Sequence, residues 1–139
     1  MMKQQGDRIG ELWALGEIGI IQVKAEDYEN GLSNLHRAVE LRAEVGLVGT
    51  QSRDLDFYLG EIYEGFKDFE RALEHYHKAL GMAQVSATDK MLGQIYYRIG
   101  NIYYQIDEYA RAKEFFEDAI RVHSETNNVP MQKIEYIRL

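Results

Sequence analysis

A period of about forty residues constrains this chain more than any other feature. Three ungapped segments, Leu12–Leu41, Arg53–Met82 and Gly93–Val122, stand in register. Glycines fall at Gly19, Gly60 and Gly100, aromatics at Tyr28, Phe69 and Tyr109, and alanines at Ala38, Ala79 and Ala119. Each column keeps spacings of 41 and 40 residues. Self-similarity at such a period is the mark of stacked supersecondary units, none of which can bury its apolar face alone.

Within a unit, apolar residues recur every three or four positions, which is helical periodicity. Leu55, Leu59, Ile62 and Phe66 mark one helix, and Phe69, Leu73, Tyr76 and Leu80 mark the next. The pattern predicts helices over about 8–24, 28–45, 51–65, 69–86, 90–105 and 108–125. Short breaks at Glu26-Asp27, Lys67-Asp68 and Asp107-Glu108 separate the two helices of a unit, and the side chains of Asp27, Asp68 and Asp107 are the expected helix caps. Glycine inside a helix costs up to about 1 kcal/mol against alanine. Its recurrence at positions 19, 60 and 100 therefore predicts a neighbouring helix too close for a Cβ, with Gly31, Ala72 and Ala112 as the small positions opposite. The reading is one array over 8–139, with units at about 8–49, 50–89 and 90–129 and a partial fourth over 130–139, where Pro130 suits a helix first turn.

Composition narrows the function classes. With no cysteine, thiolate chemistry and disulfides are excluded. The formal net charge of −7 opposes binding to nucleic acid or anionic lipid and favours a partner with basic residues, unless it only keeps the surface soluble. The polar start of the chain and the lack of a long apolar run predict a cytoplasmic protein that does not enter a membrane.

The motifs resemble the tetratricopeptide repeat family. The third unit carries Tyr96, Ile99-Gly100, Tyr103, Tyr109, Ala112, Phe116 and Ala119. The second carries Leu59-Gly60, Tyr63, Phe69, Ala72, Tyr76 and Ala79, with Asp56 where the leading aromatic belongs. The first is weaker, with Leu15, Ile18-Gly19, Gln22, Tyr28, Gly31, Leu35 and Ala38. The long period is similar to that of the subgroup in G-protein-regulator-binding adaptors, kinesin light chains and bacterial peptide-sensing regulators. The resemblance implies an all-α fold, a right-handed superhelix of stacked antiparallel helix pairs, whose concave face binds a protein or peptide.

On the resemblance, the first helix of each pair lines the groove. That face takes Trp13, Gly16, Ile20 and Val23 in the first unit, Asp54, Phe57, Glu61 and Glu64 in the second, and Gln94, Tyr97, Asn101 and Tyr104 in the third. Rings give contact area, and amides can bond a peptide backbone. Each feature has a plainer reading: Trp13 could cover the array's end, Tyr97 and Tyr104 could pack inward, and the acids could be an ordinary solvated face. The family's carboxylate clamp is not matched, because its positions hold Gly16 and Ile20, Phe57 and Glu61, and Tyr97 and Asn101, without a lysine or arginine.

No catalytic role is expected. His36 and His77 hold equivalent places on second helices, facing away from the groove, His75 diverges from His77, and with His123 these read as surface or partly packed histidines that no phosphate loop or metal motif accompanies. Neither a cofactor nor a metal is implied. Ile134, Tyr136, Ile137 and Leu139 make an apolar end, of which Ile134, Ile137 and Leu139 are the expected self-association edge. An assembly segment of a larger repeat protein is thus the alternative function.

Overall fold

The structure, a computed structural model, describes residues 5–46, 50–85 and 90–126. Six helices occupy them: α1 (Gln5–Lys24), α2 (Tyr28–Val45), α3 (Thr50–Gly65), α4 (Phe69–Ala83), α5 (Leu92–Gln105) and α6 (Tyr109–Thr126). Among the described residues there is no strand. The fold is all-α and tetratricopeptide-like, with each helix within three residues of its predicted bounds. The chain divides into two compact units, Met1–Met82 and Ala83–Leu139.

In the first unit the apolar spacing becomes a core. Leu12 and Val23 of α1, Leu35, Ala38 and Leu41 of α2, and Leu55, Leu59 and Ile62 of α3 form one buried cluster. Each large side chain removed from water contributes about 1.5–3 kcal/mol before entropy is counted. The second unit pairs α5 with α6 and buries Ile95, Ile99, Ile102, Ala112, Phe116 and Ala119.

The recurrent glycines are explained by what faces them. A Cβ on Gly19 would lie 2.7 Å from Leu35, one on Gly60 2.6 Å from Tyr76, and one on Gly100 2.9 Å from Phe116. Leu35, Tyr76 and Phe116 are themselves in register. The close approach is therefore a large second-helix side chain seated on a bare first-helix backbone.

Each pair turns in the same way. Glu26, Lys67 and Asp107 have φ of 62°, 64° and 65°, in the left-handed region. Around them the amide N–H of Asp27 donates to the Gln22 carbonyl and that of Glu26 to Val23. Asp68 and Lys67 repeat this on Tyr63 and Glu64, and Glu108 and Asp107 on Tyr103 and Tyr104. These are Schellman closures, which satisfy the carbonyls a helix end leaves over. The next residue then begins the following helix, so the Asp27, Asp68 and Glu108 carbonyls accept from Gly31, Ala72 and Ala112.

This geometry corrects two of the expected caps. Asp107 occupies the left-handed position rather than the cap, and its carboxylate accepts from the Tyr109 hydroxyl at 2.9 Å. Asp27 makes no side-chain cap bond and accepts instead from Asn30 Nδ2 at 2.9 Å. Asp68 does cap, accepting from the Arg71 amide at 3.3 Å. A side chain in the left-handed region is strained by about 1 kcal/mol or more, which glycine avoids at some entropic cost. Lys67→Gly is therefore expected to stabilise the protein by about 0.5 kcal/mol in urea denaturation. A loss of stability would contradict that closure.

Candidate functional site

The expected inner face divides into residues that can meet a partner and residues that cannot. On α1, Trp13 is 53% exposed, whereas Gly16, Ile20 and Val23 are buried. On α3, Phe57 is 1% exposed, its ring 5.6 Å from Tyr76 and 5.3 Å from Tyr58. Ile20 and Phe57 are thus corrected from contact residues to core: rotation off the packing stripe does not by itself uncover a position.

The expected contact acids of α3, Asp54, Glu61 and Glu64, are half-buried and engaged at home. Asp54 accepts from Arg53, at 2.7 Å from Nη2 and 3.0 Å from Nε. Glu64 accepts the hydroxyl proton of Tyr76 at 2.8 Å, giving that fully buried ring its polar partner. Glu61 lies on the same half-buried face. In the second unit Gln94 is exposed, and Tyr97 and Asn101 are half-buried, with the Tyr97 ring 5.7 Å from Phe116. Tyr104 is 44% exposed and meets Tyr109 edge-on at 5.5 Å. Tyr109 is itself 58% exposed, and the neighbouring Ile106 42%. In the sequence Tyr109 stands out only as a repeat marker.

A polar cluster in the first unit was also missed. Asp56, only 2% exposed, accepts from Arg42 at 3.2 Å and from His75 Nδ1 at 3.0 Å. The His75 ring stacks on Tyr63 at 5.5 Å, the Arg71 guanidinium covers the Tyr63 ring at 5.7 Å, and His36 Nε2 lies 3.1 Å from the Tyr63 hydroxyl. An aspartate on a histidine ring nitrogen resembles half of a catalytic triad. The other repeats argue against that chemistry. In register with Asp56, Tyr63, Arg71 and His75 the third repeat has Tyr96, Tyr103, Arg111 and Phe115. There Tyr103 stacks on Phe115 at 5.6 Å, and Arg111 covers Tyr103 at 5.6 Å. The first repeat has Gln22 and Asn34 in these columns, joined by a hydrogen bond of 2.7 Å from Asn34 Nδ2 to Gln22 Oε1. One helix-to-helix contact is built three ways, and only one contains an acid and a base. The signal was Asp56 in an aromatic column.

The histidines still carry a pH dependence. Partial desolvation of an exposed ring, followed by the charge of His75, lowers the His36 pKa; Glu40 opposes this and Arg71 adds to it. Desolvation also lowers His77. Between the folded and unfolded pKa values the unfolded chain holds more protons, so stability falls as pH drops through about 6.5. Thermal midpoints are expected to decline from pH 7 to pH 5 and to decline less in His36→Gln and His77→Gln. An identical decline in both variants would rule out this source.

Ile134, Ile137 and Leu139 lie outside the described residues. Among those described, no cluster of three or more His, Asp or Glu could hold a metal, and no helix is long and apolar enough to cross a membrane. A family model described as tetratricopeptide repeat matches residues 52–125. No curated protein and no solved structure matches the chain.

Proposed function

Because the chain belongs to the tetratricopeptide repeat family, whose members are generally non-catalytic scaffolds for protein–protein contact, we propose that it holds a protein or peptide on its first-helix faces. The observation that carries this reading is Trp13: a tryptophan more than half exposed on a helix that buries its neighbour Leu12 completely. Tyr104, with Tyr109 beside it, offers a second aromatic surface. Such rings dominate contact energies because they exclude water over a large area at little entropic cost. Gln94 and Asn101 supply amides for a ligand backbone.

The ligand we infer carries lysine or arginine. The half-buried acids Asp54, Glu61 and Glu64 on one face of α3, together with the net charge of −7, support this. The setting we infer is cytoplasmic. Trp13→Ala and Tyr104→Ala are expected to keep full helicity and to weaken the ligand about tenfold or more each. Glu61→Gln should flatten the salt dependence of binding. Normal binding by both aromatic variants would overturn the proposal.

A further inference from the structure

Three positions on each first helix measure how well a repeat is covered. Leu55, Leu59 and Ile62 of α3 are fully buried, as are Ile95, Ile99 and Ile102 of α5. In register with them, α1 carries Ala14, Ile18 and Ile21. Here Ala14 is exposed, Ile18 is 46% exposed and Ile21 63%. Single exposed apolar residues are ordinary; a stripe whose register mates are all sealed is not.

The molecule itself shows what seals such a stripe. Leu35, Ala38 and Leu41 of α2 share one core cluster with Leu55, Leu59 and Ile62. The helices run antiparallel: Tyr28 meets Phe66, His36 meets Tyr63, and Arg42 meets Asp56. Two substitutions in α1 change what can fit there. A Cβ at Gly65 would stand 2.7 Å from the Tyr28 ring, and Lys24 is the register mate of Gly65. An aromatic at that place would therefore have to shift its ring. Leu15 replaces Asp56, so a counterpart of Arg42 would find no carboxylate. All three second helices of this chain open with an aromatic, Tyr28, Phe69 or Tyr109. A second copy is thus a poor fit.

We propose that the Ala14–Ile18–Ile21 face of α1 docks an amphipathic α-helix of a partner protein, antiparallel as α2 lies on α3. That helix has a small residue in place of Tyr28, an apolar one in place of Arg42, and an acidic first turn beside Lys24. Lys24 lies in the last turn of α1, where it faces the positive N-terminal end of the incoming helix, so acidic residues there relieve the clash of like charge. This docking does not depend on the aromatic faces carrying Trp13 and Tyr104.

The test uses the full chain and two synthetic helices with the sequence of residues 28–45, each held helical by a lactam bridge between the positions of Ser33 and Arg37. One keeps the natural sequence; the other carries Tyr28→Ala and Arg42→Leu. In NMR titrations the adapted helix is expected to bind at least tenfold more tightly, shifting Ala14, Ile18 and Ile21 signals, and to lose that affinity on a folded Ile21→Ser protein. Failure to saturate, equal binding of the two helices, or shifts centred away from α1 would overturn the proposal. So would sedimentation showing a dimer that Ile21→Ser dissociates, because a second copy would then be the occupant.

Discussion

Asp56→Ala is expected to destabilise the protein by about 2–3 kcal/mol, which denaturant unfolding followed by circular dichroism will measure. The carboxylate is buried between α2 and α4, with Arg42 on one side and His75 on the other. Removing it takes the carboxylate from a guanidinium that water reaches only in part, its side chain being 20% exposed, and from a histidine held against Tyr63. The figure sits below that for a fully buried pair because Arg42 retains some solvent. The third repeat supplies the rescue. One repeat further on, the register mates of Arg42, Asp56 and His75 are Ala83, at the end of the second repeat, and Tyr96 and Phe115 in the third. Tyr96 has its hydroxyl satisfied by Gln84 at 3.0 Å, but the mate of Gln84 is Ala43. Phenylalanine is therefore the better graft. The triple variant Arg42→Ala, Asp56→Phe, His75→Phe should recover most of the loss. A triple variant no more stable than Asp56→Ala would show that the columns are not interchangeable.

The same substitution, glycine to alanine, is expected to act in opposite directions at two helical positions. At Gly60 the new Cβ would sit 2.6 Å from a Tyr76 ring that is fully buried and tied by its hydroxyl to Glu64. The ring cannot swing aside, and overpacking of this kind costs about 1–3 kcal/mol even against alanine's better helix propensity. At Gly10, exposed on α1, no atom stands within 4 Å of the added Cβ. There only propensity acts, and Gly10→Ala should gain up to about 1 kcal/mol. Urea midpoints moving in the same direction for both variants would contradict the packing explanation of the repeated glycines.

The helices, their pairing and the meaning of Gly19, Gly60 and Gly100 were legible because they depend on periodicity and side-chain size, which recur in every repeat. Burial on the candidate face was less so. Ile20 and Phe57 stand off the main packing stripe, yet both are buried, Phe57 with its ring against Tyr58 and Tyr76. The partners of Asp56 were hidden for another reason. Arg42 and His75 lie 14 and 19 residues away on different helices, and their approach follows from packing angles that no local pattern encodes. Asp107 was misplaced by one residue because propensity favours aspartate both as a cap and in the left-handed region. Only the Schellman hydrogen bonds decide between them.

The central claim, that this repeat protein works by holding another protein on an exposed first-helix face, is tested most directly at Trp13. A benzophenone-bearing residue placed there, and separately at exposed Arg37 on α2, can be irradiated in native extract and its adducts identified by mass spectrometry. The account predicts one dominant protein adduct from position 13 that is absent from position 37 and disappears when excess unlabelled chain, but not its Trp13→Ala variant, is added. The same adducts from both positions, or none that the unlabelled chain displaces, would contradict it.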